Sequence, residues 1–221
     1  MNEIYNVKFT EYPIDIDLNC EKEVWKDTEP IVLKNYMGKY PEHFPNVYVK
    51  LRYDYNFIYV LFKVTDKNIR SVAVNHFDPV FEDSCVEFFF APDKENNDSY
   101  FNLEVNCSGK VLFGYRLNKL HKSTRISTDE IKQLNVSATF KDKLIDEEIK
   151  ETTEWAVQYK IPFTLIEKYL GKKIGNNLKE WRGNFYKCAD MSSTPHWLTW
   201  NKVEYSEPNF HLPEYFGRLL F

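Results

Sequence analysis

A chain of 221 residues with 43% hydrophobic content is long enough for one large domain or two small ones around a substantial core. A formal net charge of −4 and a pI near 5.8, with lysines scattered among acids rather than gathered in a basic stripe, argue against a nucleic-acid partner. No window approaches the ~18 consecutive apolar residues of a membrane span, so no membrane partner is expected.

Hydrophobic period two runs through most of the chain, and the 17% aromatic content favours strands. Near the start, Asp15 and Asp17 flank Ile16. Alternation puts both acids on one side, which suits calcium, although an ordinary exposed strand is the preferred reading. Residues 47–53 read as a strand, 54–56 as a turn and 57–64 as the returning hairpin partner. Two strands centred on Glu87 and Glu104 follow, joined by a polar loop at 92–99. Ser108-Gly109 then turns the chain into a strand at 110–116. A polar excursion at 117–135 reads as a surface loop or insert with some helix. Residues 136–140 and 154–161 form a further pair. The run 163–170 after Pro162 is apolar at helical spacing, with Gly171 placed to stop it. Late strands are expected at 181–189 and 217–221. With no repeats and no low-complexity linker, about ten short strands and one short helix give an all-β class. The architecture is a β-sandwich or jelly roll, an immunoglobulin-like sandwich, with residues 1–221 as a single domain.

The segment 81–90 carries the chemistry. Val86, Phe88 and Phe90 point one way, and Cys85, Glu87 and Phe89 the other. A carboxylate in so apolar a strand is costly to bury without a partner. The strand 100–106 repeats the device, with Phe101, Leu103 and Val105 opposed to Asn102, Glu104 and Asn106. Paired, the two strands lay Glu87, Asn102, Glu104 and Asn106 on one accessible face of the kind that binds hydroxyl-rich ligands, or a merely solvated one. Arg182 faces away from Trp181 and either reads hydroxyls or pairs with Glu87 or Glu104. Trp200 reads as core; Trp197 is a rim candidate. The four cysteines lack metal-ligand spacing. Four separate thiols are the preferred reading, with a Cys85–Cys107 disulfide as the alternative. The five histidines show no HxH or HxxxH pattern, so no metal site is expected.

These motifs together resemble a known family. A hairpin at residues 49–60 is followed by Glu-Asp-Ser-x-Val-Glu-Phe-Phe at residues 82–89. Asn-x-Glu-x-Asn stands at residues 102–106, and Trp155 leads to Ile161-Pro162-Phe163. The chain closes with Phe210-His211-x-Pro213-x-x-Phe216-Gly217. In order and spacing, from about Ile14 to Phe221, the sequence is similar to family 9 carbohydrate-binding modules, in the family 9-like branch. The resemblance implies a β-sandwich that holds sugars between two aromatic rings, with calcium in some members. The ring positions fall on Phe81 and Phe210, where sugar-binding members carry Trp. The polar positions fall on Glu87, Asn102 and Glu104, and Glu104 replaces a basic residue. His211, next to Phe210, either lines the same pocket or caps the last turn. Phe81 and Phe210 are read as a clamp, with ordinary core positions as the alternative.

Three functional readings follow. The first is a non-catalytic saccharide binder serving polysaccharide utilisation, monomeric, without a required cofactor. The second is a glycoside-processing enzyme using Glu87 and Glu104. The third is a sandwich module binding protein or a hydrophobic cofactor, for which Met191 and His196 have no distinguishing spacing. Residues 1–5 lack a basic segment followed by an apolar run, so no signal peptide is read there. The compartment is left open between cytoplasmic and, with a trimmed N-terminus, extracellular or periplasmic.

Overall fold

Strands with one wholly apolar side must bury it against another layer, and two such sheets satisfy each other. The structure, a computed structural model, describes residues 2–92, 98–118, 121–174 and 179–221. It is a β-sandwich of two mixed sheets. In the first, the order is Ile4–Asn6, Gly217–Leu220, Glu180–Cys188, Cys85–Ala91, Tyr100–Asn106, Val111–Arg116 and Thr124–Arg125; Trp197–Thr199 pairs with Glu180–Cys188 and with Asn35–Tyr36. The second runs Ser137–Ala138, Thr153–Pro162, Phe57–Asp66, Asn46–Tyr53 and Lys8–Phe9, with Ile31–Val32 also on Asn46–Tyr53. A small third sheet joins Ile69–Ser71 to Ile145–Ile149.

The main core lies between the two large sheets. Val86, Phe88, Phe90, Phe101, Leu103 and Val105 meet Val47, Val49, Leu51, Val60, Phe62, Trp155 and Val157 there, as their alternation requires. Phe185, Phe88 and Phe90 stack in sequence, with ring centroids 4.5 and 4.7 Å apart. The helix Phe163–Leu170 forms after Pro162 and ends at Gly171, whose φ of 68° is the left-handed conformation of a helix stop. Two further single-turn helices, Glu23–Lys26 and Thr128–Ile131, are too short to leave a periodic signal. The second belongs to the excursion at 117–135 and is capped by a reciprocal Ser127–Glu130 pair. Residues 119–120 of that excursion, and 93–97 of the loop expected at 92–99, lie outside the described residues.

Ile14–Asp17 is not a strand. Gln158 pins it instead, accepting from the amides of Asp17 and Leu18 and donating to the Asp15 carbonyl. Lys22 places its ammonium 3.0 Å from Asp15 and 2.8 Å from Asp17, between the two acids considered for calcium. A disulfide between Cys85 and Cys107 is not formed, and all four cysteines are free. Cys107 lies in the main core, whereas Cys85 packs on the opposite face of its sheet.

One buried ion pair crosses the sandwich. Lys187 points inward and sits 3.0 Å from Asp66, with neither side chain exposed. The Lys187 ammonium also donates to the Cys188 carbonyl and to His196 Nε2, at 3.0 and 2.7 Å. His196 is therefore a neutral acceptor whose Nδ1–H donates to the Thr194 carbonyl. Burial and the neighbouring Lys187 lower its pKa to about 3.

The tightest local device is the hairpin turn at 54–56. Asp54 Oδ1 accepts from the amides of Asn56 and Phe57, each at 2.7 Å, while Oδ2 accepts from the Tyr59 hydroxyl at 2.6 Å. Asp54 is itself buried. Asp54→Ala strands three donors at once and should cost about 2–4 kcal/mol. Urea denaturation checks this: a loss below about 0.5 kcal/mol, the range of ordinary surface substitutions, would contradict the role given to this side chain.

Candidate functional site

The outer face of the first sheet is not open. Strand pairing sets Glu87 opposite Glu104, Phe89 opposite Asn102 and Cys85 opposite Asn106. The next strand adds Leu112 opposite Glu104, Gly114 opposite Asn102 and Arg116 opposite Tyr100. On the other side, Tyr186 pairs with Glu87 and Cys188 with Cys85. A second apolar cluster covers much of this face. Phe89, Tyr100, Tyr186 and Cys85 pack under Met37, Val80, Val203, Phe210, Leu212 and Phe216.

Between sheet and cover remains a cleft of about 440 Å³. Phe81, Glu87, Asn102, Glu104, Phe210 and His211 all line it, together with Arg116, Arg125, Asp190 and Trp197. The polar floor is far less accessible than the alternation alone implies. Glu87, Asn102 and Glu104 are 2%, 2% and 4% exposed, because the chain at 190–216 folds back over them. Asn106, on the same face, is consumed structurally. It donates to Asp83, whose carboxylate also holds the amides of Val72 and Ala73.

Arg182 does not reach the cleft. It lies on the same sheet face, but pairs with Ala91, four residues along the strand from Glu87. That separation is roughly 13 Å at ordinary strand rise. Its guanidinium donates instead to the Glu214 and Phe216 carbonyls. Trp200 is core, packed on Phe185. Trp197 lines the cleft and donates its Nε1–H to Asp190 at 2.7 Å.

The two candidate rings differ. Phe81, in the short 3₁₀ turn Val80–Glu82, is 37% exposed. Phe210 is 9% exposed, with one face stacked on Tyr186 at a centroid distance of 4.1 Å, so only its other face is available to the cleft. No direct ring contact joins Phe81 to Phe210 among the described residues. His211 Nδ1 lies 2.9 Å from the Tyr100 hydroxyl. Burial, reinforced by Arg116, lowers its pKa to about 4 and leaves it neutral.

Three polar atoms around the cleft have no partner among the described residues: Asn102 Oδ1, Glu104 Oε2 and Arg116 Nε. The other Glu104 oxygen accepts from Asn102 Nδ2 at 2.9 Å. Gly114 keeps this space open, since a Cβ there would fall 2.2 Å from Ser123 Oγ and 2.9 Å from Asn102 Oδ1. Sequence reading passed over Arg116 and Asp190. For Arg116 the signal existed: in 110–116, Leu112, Gly114 and Arg116 alternate with the core residues Val111, Phe113 and Tyr115. Nothing local marks Asp190, which arrives on a loop.

The surroundings of the acids raise their pKa values. Burial, then Cys188 and Glu104, push Glu87 well above the usual carboxyl range. Burial raises Glu104 to about 7 against the hydrogen bond from Asn102, and raises Asp190 to about 6. The Cys188 thiol donates to Glu87 Oε1 at 3.1 Å.

Over residues 14–221 the sequence matches carbohydrate-binding family 9. The chain belongs to that family. The motif order therefore pointed correctly, and solved structures of the family 9 type share the fold. A candidate carbohydrate-binding protein from Bacteroides uniformis is similar at 26% identity and a TM-score of 0.88, covering 100% of both chains. A family 9 module from Caldicellulosiruptor kristjanssonii, solved with glucose, has a TM-score of 0.63 at 16% identity, covering 99% of this chain and 95% of that one. Its structure with cellotriose gives 0.62 at 16% identity, covering 99% and 93%. No curated protein shows significant similarity to the chain.

The pH dependence of stability tests the buried acids. Glu104 ionises near 4.5 when unperturbed and near 7 in the fold, so the folded state holds its proton more tightly. That stabilisation is complete below the unperturbed value and is lost as the pH rises through about 7. The Glu104 contribution to the unfolding free energy should fall between about pH 5 and about pH 8, whereas His196 and His211, held neutral in the fold, contribute a rise up to about pH 6.5, so the comparison with a variant isolates Glu104. Glu104→Gln, which imitates the neutral acid, should reduce that fall by on the order of 2 kcal/mol. Urea melts at both pH values read this directly, and an unchanged pH dependence in the variant would remove Glu104 as the titrating group.

Proposed function

We propose that the cleft binds a saccharide and that residues 1–221 act as one non-catalytic carbohydrate-binding family 9-like unit. The observation that carries this reading is the set of unpartnered polar atoms on Asn102, Glu104 and Arg116, beside the rings of Phe81, Phe210 and Trp197. Two acceptors and a donor suit hydroxyl groups, which both donate and accept. With Glu104 carrying its proton, its carboxyl adds a second donor. Aromatic faces suit the C–H faces of a pyranose. The solved neighbours named for glucose and cellotriose complexes support the same ligand class.

Phe81 and Phe210 are the rings proposed to flank the sugar, with Glu87 and His211 at its edge. The enzyme reading is the weaker one on geometry. Glycoside hydrolysis uses two carboxyls on either side of the scissile bond. Glu87 and Glu104 are direct cross-strand neighbours that rise side by side from one floor, so a sugar in the cleft meets both from the same side. The hydrophobic-cofactor reading has no axial pair to support it: His196 is sealed against Lys187, while Met191 is exposed.

Affinity for a disaccharide-sized ligand should be weak. At about 0.3 kcal/mol per heavy atom the limit is roughly 7 kcal/mol, or micromolar at best. Calorimetric titration against a panel of soluble oligosaccharides tests the reading: heat of binding without turnover supports it, turnover favours the enzyme, and silence across the panel overturns the ligand class. Phe81→Ala should weaken binding about tenfold or more while leaving the thermal melt nearly unchanged. Phe210→Ala should weaken binding and also destabilise by about 3–5 kcal/mol, because its ring is buried against Tyr186. If Phe81→Ala binds like wild type, the ring is no part of the site and Trp197 takes its place as the next candidate.

A further inference from the structure

The proposed saccharide site leaves two thiols unused at the end of the cleft floor, beside Glu87. Cys85 and Cys188 are direct cross-strand neighbours, and Glu87 stands two residues along from Cys85 on the same face. The two sulfurs and a Glu87 oxygen all lie within 4.8 Å of one another, and all three residues are buried. Cys188 and Glu87 also line the cleft, so the cluster has a path to solvent, with Cys85 behind them.

We propose that Cys85, Cys188 and Glu87 bind a thiophilic divalent cation of the zinc class, with the fourth position facing the cleft. The donor set decides the class, since two thiolates and one carboxylate favour zinc over calcium or magnesium. Zinc bonds of about 2.3 Å to sulfur and 2.0–2.2 Å to oxygen place the ligand atoms of one tetrahedron roughly 3.5–3.8 Å apart. The 3.1 Å separation of Cys188 Sγ and Glu87 Oε1 is somewhat shorter than that, and both sulfurs lie within 4.8 Å of each other and of the carboxyl oxygen. Glu104 is the neighbouring acid. It is buried directly opposite Glu87, and its Oε2 has no partner among the described residues.

Among the described residues no lysine or arginine forms an ion pair with Glu87 or Glu104. Lys187, the residue between Tyr186 and Cys188, turns to the other face of the sheet to meet Asp66. A divalent cation would displace the two thiol protons and the Glu87 proton, leaving a site of charge −1. Metal affinity should therefore rise with pH. This inference is independent of sugar binding, because no saccharide enters its test.

The experiment is titration of the metal-free, phosphine-reduced full chain with Co²⁺ alone, followed by Zn²⁺. The expected result is one equivalent of cobalt, a thiolate-to-cobalt charge-transfer band in the near ultraviolet, tetrahedral-type visible bands, and loss of all of these when zinc displaces cobalt. Cys85→Ala and Cys188→Ala should each abolish the charge-transfer band, and Glu87→Gln should weaken binding by roughly tenfold or more. Cys20→Ser, which alters the half-exposed thiol elsewhere in the chain, should leave the spectrum unchanged. A wild-type chain that gives no charge-transfer band overturns the proposal whatever the variants do. A band that survives Cys188→Ala, or disappears in Cys20→Ser, overturns it by locating the metal elsewhere.

Discussion

Everything at the cleft depends on one register: Glu87 directly opposite Glu104 across two adjacent strands. Two ionised carboxylates in that position repel each other, and burial makes ionisation costlier still. Among the described residues no lysine or arginine pairs with either acid, and burial instead makes both hold their protons more tightly than a free carboxyl. Burial lifts both above the ordinary carboxyl range; the Cys188 thiol donates to Glu87, and the bond that Asn102 donates to Glu104 opposes the rise there. The result is a floor of partly unsatisfied oxygens under an aromatic cover. Such a floor is suited to hydroxyl groups, which both donate and accept.

The same strands have a second face with different demands. Alternation sends Val86, Phe88 and Phe90 into the inter-sheet core, where they meet Phe185 of the neighbouring strand. It also sends Lys187 inward, beside Phe185, while Tyr186 and Cys188 go outward to the cleft side. Lys187 is tolerated there because Asp66, His196 and the Cys188 carbonyl satisfy its three donors. A strand that supplies a buried cation on one face and thiol chemistry on the other is thus anchored to both layers. That anchoring holds Cys188 in place relative to Cys85 and Glu87.

The cover over the outer face explains how little of the cleft reaches solvent. Residues from 190 to 216 carry Trp197, Phe210 and His211 back over the sheet, and Phe210 secures the return by stacking on Tyr186. Ring and floor are therefore coupled: the aromatic side of the site cannot be altered at Phe210 without disturbing the packing beneath it. Phe81 is different. Its 3₁₀ turn is held by backbone bonds and by Asp83, so its ring projects without supporting the core.

The sequence by itself determined the sheet architecture and the composition of each face. Period-two alternation depends only on strand geometry, which is why the hairpin at residues 46–66 and the two acidic strands are legible in the residue pattern alone; the helix stop at Gly171 is legible from its residue type. The order of its motifs determined the family. Alternation tells which side a residue is on, but neither how far along that side it lies nor what comes to cover it. Arg182 shares a face with Glu87 yet pairs four residues away, and Cys85 and Cys107 sit near in sequence on opposite faces of one sheet. Only the tertiary structure decided that the polar face would be roofed, that Phe210 would be half of a stacked pair, and that Cys85 would meet Cys188. Those outcomes depend on contacts between segments distant in the chain, which strand register and loop return create and local pattern does not encode.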